Sequence, residues 1–341
     1  MTPRPVRIVE GAVLAEIDLP ALIAGGEPVL LKGGARDLPL VRRALQSDDA
    51  ALEYVLSFYA GRPVTGYTGD AAIGGRYFYN DALTAMNFVA ETVRLDDYVA
   101  RLRAAQGDPA APSLYVGSTD LDAYLPGFRA ENDLVANPTA LGPQPPTASI
   151  WIGNRTVAAT HWDMSNNLAV CMAGRRRFTL FPPDQVANLY PGPLEPTPAG
   201  QVVSMVDART PDLDRFPRFA EAAAHARVAE LEPGDMLVYP ALWWHQVEAL
   251  APVNILVNYW WNDVAAFADT PMTTLLHALL SLRDRPEHEK AAWRAMFDYY
   301  VFGPAALSAA HLPQAARGAL APLDAPAARR LRANLLHRMN R

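Results

Sequence analysis

The fold is decided by residues 148–183, which read ASIWIGNRTVAATHWDMSNNLAVCMAGRRRFTLFPP. Short apolar runs alternate here with turn-forming residues, and the same pattern continues to residue 261. Many short strands at this spacing predict an antiparallel barrel or jelly roll. The predicted strands are 148–152, 167–172, 177–181, 227–231, 236–239, 246–249 and 254–260. We therefore expect a mainly β core over 147–261, interrupted by a proline-rich insert at 184–226.

The segments on either side of this core have a different character. Residues 1–146 mix short apolar runs with helical spacing over 38–59, broken near 47–49, and over 95–102. Residues 262–341 are predicted to be helical. We expect N-terminal α/β elements that flank the barrel and a C-terminal helical region. A second copy of the chain is expected to pack against this region, which gives a homodimer.

The composition is that of a globular chain. Half of its 341 residues are hydrophobic, and the formal net charge is −6. A net negative charge disfavours broad nucleic-acid binding. The single cysteine, Cys171, cannot form a disulfide within the chain. Because the sequence has neither a secretory-type start nor an apolar run long enough to cross a bilayer, we expect a cytoplasmic protein without membrane association.

A metal-binding pattern stands out in residues 160–163, Thr-His-Trp-Asp, which contain an H-x-D motif. In a strand, residues two apart project from the same face, so His161 and Asp163 can reach one point in space. A second histidine, His245, follows a Pro-Gly-Asp turn at 233–235. Two imidazoles and one carboxylate on one side of a metal form the facial arrangement of non-haem Fe(II) oxygenases. Spacing alone leaves hydrogen-bonded core histidines as an alternative. The other histidines lie in predicted helices or loops and are expected to be solvated or capping: His225, His277, His288, His311 and His337.

Further motifs follow in a fixed order around this pattern. They are HWDMSNN at 161–167, GRRRFTLFPPDQ at 174–185, LYP at 189–191, DRFP at 214–217, PGD at 233–235, WWH at 243–245, NYW at 258–260, and RYFYND at 76–81 with NF at 87–88. With these motifs the chain, over roughly 75–265, resembles the JmjC-type, cupin-like Fe(II)- and 2-oxoglutarate-dependent oxygenases. Within that family it is most similar to the asparaginyl hydroxylases.

The resemblance implies a double-stranded β-helix with Fe(II) near one mouth, held by His161, Asp163 and His245. It implies 2-oxoglutarate and O₂ as cosubstrates, with 2-oxoglutarate chelating the iron. The far carboxylate of 2-oxoglutarate is expected to meet Arg176, at a position that the family fills with Lys, and the hydroxyl of Tyr115. An Arg offers a planar two-donor fork to a carboxylate, so the exchange is chemically sensible.

Other positions carry over from the family in the same way. The resemblance implies a cosubstrate pocket lined by Asn167, Asn258 and Trp260, and a substrate groove bordered by Tyr79 and Asp81. One position departs from the family pattern, because Ala158 stands where the family has a Thr that contacts the cosubstrate. Thr156 or Thr160 could supply the missing hydroxyl.

These features predict a hydroxylase that acts on a C–H bond of a protein side chain or a small molecule. One alternative is a cupin-fold protein that holds a metal or another ligand without oxygen chemistry, although a pure binder has no need for both metal and 2-oxoacid ligands. Another is a metal-dependent isomerase or dioxygenase of the broader cupin group. Those proteins usually place three or four histidines around the metal, whereas the predicted strands offer His161 and His245.

Overall fold

Two β-sheets enclose the interior of the first of two units into which the chain divides. The computed structural model describes residues 4–11, 16–134, 141, 144–198 and 200–340. The units are Met1–Asp263 and Val264–Arg341. The strands are β1 (Arg4–Pro5), β2 (Arg7–Val9), β3 (Val29–Leu31), β4 (Val64–Gly69), β5 (Arg76–Tyr77), β6 (Phe88–Val93), β7 (Ser113–Asp120), β8 (Thr147–Gly153), β9 (Val157–Trp162), β10 (Asn166–Ala173), β11 (Arg176–Phe181), β12 (Arg227–Leu231), β13 (Met236–Tyr239), β14 (Trp244–Ala249) and β15 (Asn254–Trp261).

The helices lie around and after these strands. They are α1 (Leu19–Ala24), α2 (Pro39–Ala44), α3 (Asp48–Leu56), α4 (Leu95–Ala104), α5 (Leu121–Tyr124), α6 (Phe128–Asn132), α7 (Phe219–His225), α8 (Pro271–Ser281), α9 (Glu287–Phe297) and α10 (Ala325–Met339). The predicted break within 38–59 is confirmed, because α3 starts after Ser47, whose hydroxyl accepts a hydrogen bond from the Ala50 amide. Among the described helices, none has both the length and the apolar character that a bilayer span requires.

The strand order confirms the predicted mainly β, cupin-type double-stranded β-helix. In the described residues one sheet has the order β1-β12-β11-β14-β9-β5, and the other has the order β2-β3-β13-β10-β15-β8-β7-β4-β6. Most neighbouring strands are antiparallel, and the pairs β1/β12, β2/β3 and β5/β9 are parallel. Strands β7, β4 and β6 extend the larger sheet beyond β8.

Strand β10 shows how alternation along the chain builds two layers of core. All of its residues are buried. Leu168, Val170 and Met172 pack into a core that includes residues of α2, α3 and α4, whereas Ala169 and Cys171 pack inside the barrel with residues of β11 and β13. The sequence of a central strand that is covered on both faces is a nearly continuous apolar run, because neither face is exposed to water.

A tight turn joins β10 to β11 and positions Arg176. Gly174 has φ 74°, and a Cβ there would lie 2.4 Å from the Val253 carbonyl oxygen, so only glycine fits. The strand that follows points Arg176 into the barrel, where it is 2% exposed. Arg175 and Arg177 on either side are exposed, as strand alternation requires.

An irregularity in β9 sets the direction of the first histidine. His161 stands opposite His245, and Ala158 stands opposite Val247, so β9 uses one more residue than β14 between these pairs. The extra residue forms a β-bulge and changes which face the following residues occupy. Ala158 and His161, three residues apart, consequently both line the interior cavity.

Candidate active site

Three side chains that could hold a metal ion meet at one end of the barrel. One ligand atom each of His161, Asp163 and His245 lies within 4.8 Å of the other two. His161 is near the end of β9, Asp163 follows that strand, and His245 is on the paired strand β14. Two imidazoles and one carboxylate on one side of a point form the donor set that the sequence predicted, and it suits Fe(II) with open positions.

Hydrogen bonds at the far ring nitrogens fix both histidines for metal binding. His161 Nδ1 lies 2.8 Å from the Ala159 carbonyl oxygen, and His245 Nδ1 lies 2.9 Å from the Trp243 carbonyl oxygen. Since a carbonyl oxygen can only accept, each Nδ1 carries the proton and donates it. Each Nε2 then keeps its lone pair free for a metal, the arrangement that outer hydrogen bonds impose on metal-binding histidines.

The charge states at neutral pH suit the same role. Burial, together with the nearby His161, lowers the pKa of His245 to about 4, so His245 is neutral. Burial alone would raise the pKa of the Asp163 carboxyl, but His245, His161 and two hydrogen bonds outweigh burial and leave that pKa below its usual value. Asp163 is therefore ionised, and it offers an anionic donor beside the neutral imidazole of His245.

Backbone contacts hold the two ligand-bearing segments together. The Leu242 amide donates to the Asp163 carbonyl oxygen over 2.8 Å, and the Ala241 amide donates to Asn166 Oδ1 over 3.0 Å. Leu242 has φ 67°, an uncommon backbone conformation for a branched residue. The turn that precedes His245 is thus fastened to the turn that contains Asp163, which fixes the distance between these ligands.

A chain of buried and half-buried hydrogen bonds ends on the carboxylate of Asp163. Trp151 Nε1 donates to Asn258 Oδ1 over 2.6 Å, Asn258 Nδ2 donates to Asn167 Oδ1 over 3.3 Å, and Asn167 Nδ2 donates to Asp163 Oδ2 over 3.2 Å. Trp260 Nε1 donates to the same oxygen over 3.1 Å. We name this chain from Trp151 to Asp163 the amide relay. Each link points toward Asp163, so the relay holds one carboxylate oxygen and orients the group.

Arg176 lies in the same cavity as the three ligands. The cavity has a volume of about 540 Å³ and is lined by residues of both sheets. Nε and Nη2 of Arg176 are buried without a hydrogen-bond partner. No carboxylate of the described residues is within salt-bridge distance of it. Burial lowers the pKa of Arg176, yet a guanidinium stays charged in proteins. An unpaired buried cation is costly, so its donors fit an incoming carboxylate.

Tyr115 and Ala158 line the cavity with Arg176, as the family resemblance implies. Burial raises the pKa of the Tyr115 phenol, while Arg176 acts in the opposite direction, so Tyr115 is a neutral hydrogen-bond donor near that guanidinium. Ala158 presents a methyl group. Thr156 and Thr160 are buried and do not belong to the described cavity lining, so neither replaces the hydroxyl that the family has at 158.

The remaining predicted residues are divided between the cavity and its surroundings. Asn258 and Trp260 line the cavity. Asn167 differs from the expectation, because it is fully buried and its amide serves the relay to Asp163. Tyr79 is buried, and its hydroxyl donates to the Pro196 carbonyl oxygen over 2.9 Å, which fastens the insert that borders the cavity. Asp81 is exposed in a turn.

The cavity also contains aromatic residues that the sequence analysis missed as site residues. Tyr67, Tyr77, Phe88 and Trp151 line it, and Tyr239 stands 4.9 Å from His245, measured between ring centroids. The alternation of apolar and polar residues along a strand identifies such residues only as inward-facing. An aromatic side chain that packs in the core and one that lines a cavity occur at the same positions in this alternation. What separates the two kinds of aromatic residue is contact with the cavity, and only the three-dimensional structure shows that contact.

None of the five other histidines is among the described residues that line this cavity. His225, His277, His288 and His337 are on α7, α8, α9 and α10, and His311 is in a turn. Among the described residues, His161 and His245 are therefore the histidines of the cavity. A cupin site with three or four histidine ligands cannot be formed from these side chains.

The fold and this donor set define a double-stranded β-helix protein with a facial two-histidine, one-carboxylate site. Residues 15–267 match the family model described as "Cupin-like domain". The chain belongs to this cupin-like, JmjC-type family, as the sequence motifs predicted.

Individual relatives match shorter stretches. HSPB1-associated protein 1 from Homo sapiens is 34% identical over 149 residues, covering 42% of this chain and 30% of that protein. Jumonji C domain-containing protein 5 from Drosophila melanogaster is 25% identical over 268 residues, covering 75% of this chain and 61% of that protein. tRNA wybutosine-synthesizing protein 5 from Danio rerio is 34% identical over 105 residues, covering 31% of this chain and 29% of that protein. The matches thus span less than two thirds of each of these relatives.

Proposed function

We propose that this protein is an Fe(II)- and 2-oxoglutarate-dependent oxygenase that hydroxylates a C–H bond. The observation that carries the proposal is the pairing, in one cavity, of a facial donor set with an unpaired buried guanidinium. His161, Asp163 and His245 would hold Fe(II). Nε and Nη2 of Arg176 would receive the far carboxylate of 2-oxoglutarate. Family membership supports the same reading.

Each residue around the metal then has a defined task. Arg176 and Tyr115 would fix the distal end of the cosubstrate by charge-assisted and neutral hydrogen bonds. The amide relay and Trp260 would keep Asp163 oriented, while Asn258 and Trp260 form the wall beside it. Bound Fe(II) with 2-oxoglutarate supplies the O₂ activation that hydroxylation needs.

The aromatic lining would limit the access of water to the reacting centre. The cavity's apolar wall includes Phe178, Tyr239 and Leu256 beside the polar groups already described. Exclusion of water lowers the local dielectric constant, so each electrostatic contact of the few polar groups in such a site becomes stronger.

For the primary substrate we propose a protein side chain or a small molecule. The name of HSPB1-associated protein 1 refers to association with a protein, and that of tRNA wybutosine-synthesizing protein 5 refers to a tRNA product. Such unlike names do not select one substrate for this chain. Its formal net charge of −6 disfavours a polyanionic partner.

A turnover experiment tests the oxygenase proposal. Purified protein with Fe(II), ascorbate, O₂ and 2-oxoglutarate should form succinate, followed by proton NMR. His161→Ala should abolish succinate formation, whereas His225→Ala, which removes an exposed histidine of α7, should retain it. Succinate formation that is unchanged in His161→Ala would remove this histidine from the site. Metal-dependent binding of 2-oxoglutarate without succinate would favour the cupin-fold binding protein instead.

A further inference from the structure

The strand register distinguishes two ends of the interior cavity. At the start of β10, Asn167 donates to Asp163, and the strand ends at the Gly174 turn, after which β11 begins with Arg176. Tyr239 on β13 is the partner of Asn167 in the sheet. The backbone of Tyr239 therefore lies at the end of the cavity that has the candidate metal ligands, whereas Arg176 extends from the opposite end.

The ring of Tyr239 packs beside the candidate metal ligands. Its centroid is 4.9 Å from that of His245, and the two ring planes are inclined by 56°. Tyr239 is 3% exposed, and it lines the cavity together with His161, Asp163 and His245. Its side chain is thus held in place by packing, and it faces the space in which a metal-bound ligand would lie.

The hydroxyl of Tyr239 has no hydrogen-bond partner among the described residues. Four other described tyrosines are buried, and each of them uses its hydroxyl: Tyr77 and Tyr98 donate to the Tyr67 carbonyl oxygen, Tyr79 donates to the Pro196 carbonyl oxygen, and Tyr259 accepts from the Leu134 amide. Buried phenol hydroxyls normally find a partner. Tyr239 departs from this pattern, and the space beside it is the cavity.

Tyr239 is a neutral donor whose proton is available to a ligand. Burial raises the pKa of its phenol, and the Asp163 carboxylate acts in the same direction, so the hydroxyl keeps its proton. Oδ2 of Asp163 already accepts from Asn167 and Trp260. A phenol has one proton to donate, and an oxygen of a ligand bound at the metal site is a suitable acceptor.

We propose that Tyr239 donates a hydrogen bond to the metal-chelating carboxylate of 2-oxoglutarate. This assignment rests on the proposed function, which places the far carboxylate of the cosubstrate at Arg176. The metal supplies positive charge at the chelating end, and Arg176 supplies it at the far end. A neutral donor therefore suits the chelating end, since a further buried cation would be costly there. Tyr239 has the role at this end that Tyr115 has at the other.

Oxalate separates the two ends of the cosubstrate site, because it chelates a metal as a 2-oxoacid does and has no far carboxylate. Calorimetric titration of the full chain, loaded with Mn(II), measures the affinities for oxalate and for 2-oxoglutarate. Tyr239→Phe removes one oxygen and should weaken both ligands about tenfold to a hundredfold, the effect of losing a hydrogen bond to a charged acceptor. Arg176→Met should abolish 2-oxoglutarate binding and leave the oxalate affinity unchanged.

Two further measurements distinguish binding by Tyr239 from a structural role. Tyr54→Phe removes a hydroxyl that donates to Glu131 over 2.7 Å outside the cavity, so this variant should bind both ligands like the unaltered protein. Tyr239→Phe should keep the thermal midpoint of the unaltered apoprotein, because it removes no hydrogen bond within the protein. A midpoint lower by several degrees would show that the hydroxyl stabilises the fold and would overturn the assignment.

The ligand affinities also separate this assignment from the proposed function. Unchanged affinity for both ligands in Tyr239→Phe would overturn the role of Tyr239, while metal-dependent binding of 2-oxoglutarate would leave the proposed function standing. A loss confined to 2-oxoglutarate would place the hydroxyl at the far carboxylate and would also overturn it. Weaker Mn(II) binding with unchanged oxalate affinity would do the same.

One result would contradict the proposed function instead. It is metal-dependent oxalate binding that is weakened in Tyr239→Phe, without any binding of 2-oxoglutarate to the unaltered protein. Tyr239 would then remain a donor to a metal-chelating carboxylate, and the cosubstrate would be a different one.

Discussion

Asn167 donates a hydrogen bond to Oδ2 of Asp163 over 3.2 Å, and this contact joins the candidate metal site to a buried network. The Asn167 amide is held in turn by Asn258, and Asn258 by Trp151. Because each residue uses its nitrogen toward the next and its oxygen toward the previous one, both amides have a single orientation. The carboxylate is positioned by groups that do not themselves reach the metal.

We expect Asn167→Ala to weaken metal binding by about tenfold to a hundredfold, the usual cost of losing an outer partner of a metal ligand. Competition with a chromophoric chelator under anaerobic conditions measures the affinity for Fe(II). Asn188→Ala is the matched control, since Asn188 bonds to Gln185 in the turn after β11, outside the cavity. Equal iron affinity in Asn167→Ala and the control would show that the relay does not support Asp163.

Arg176→Met should make the apoprotein more stable and at the same time abolish 2-oxoglutarate binding. Methionine fills a similar length without a buried, unpaired charge, and such replacements can stabilise proteins by about 1 to 4 kcal/mol. Urea unfolding of both apoproteins measures the difference in the free energy of unfolding. Added 2-oxoglutarate with Mn(II) should stabilise the unaltered protein and leave the variant unchanged. A variant that is less stable and still responds to 2-oxoglutarate would contradict the assignment of Arg176.

Ala158→Thr should tighten 2-oxoglutarate binding. The residue lines the cavity, so a threonine there adds a hydroxyl at the position where the family has one. One added neutral hydrogen bond contributes about 0.5 to 1.5 kcal/mol, or roughly two- to twelvefold in affinity. Calorimetry with the Mn(II)-loaded protein measures the change. Weaker binding would mean that Arg176 holds the carboxylate away from residue 158.

The second unit is expected to mediate a homodimer. Helices α8 and α9 contain no buried residue, and Leu280 and Phe302 in this unit are 81% and 76% exposed. Apolar surface of this kind favours association with another copy. Light scattering should give twice the chain mass, and Leu280→Asp with Phe302→Asp should halve it. Leu45→Asp changes an exposed leucine of the first unit and should leave the mass unchanged. A single-chain mass for the unaltered protein would refute the dimer.

Most of the fold could be predicted because alternation and turn residues act locally. The predicted strands overlap β11 and β14, which carry Arg176 and His245, and the burial of Arg176 between exposed arginines follows from a period of two. Strand β9, which carries His161, is missing from the predicted strands. The β9 bulge could not be predicted in this way. It adds one residue between Ala158 and His161, and no residue type in that stretch marks it.

The sequence predicted those parts of the candidate site in which the residue type and its spacing by themselves indicate metal binding. The two histidines and the aspartate are such a case. Asn167 was expected in the cosubstrate pocket, yet its side-chain amide hydrogen-bonds to Asp163. The register between β10 and β15 decides which partners a buried asparagine can reach, and here it places Asn258 beside Asn167. The cavity aromatics Tyr67, Phe88, Tyr115 and Trp151 are on β4, β6, β7 and β8, whose pairing is a property of the whole larger sheet. Sequence patterns that act over a few residues cannot specify it.

The most direct test of the central claim is an anaerobic titration of the apoprotein with Fe(II) and then 2-oxoglutarate, followed by visible absorption. Chelation of the iron by the 2-oxoacid gives a weak charge-transfer band. We predict that the band forms in the unaltered protein and in His225→Ala, and that it is lost in His161→Ala. If iron binds and no band forms on addition of 2-oxoglutarate, the oxygenase assignment is contradicted, and a cupin-fold metal-binding protein becomes the better account.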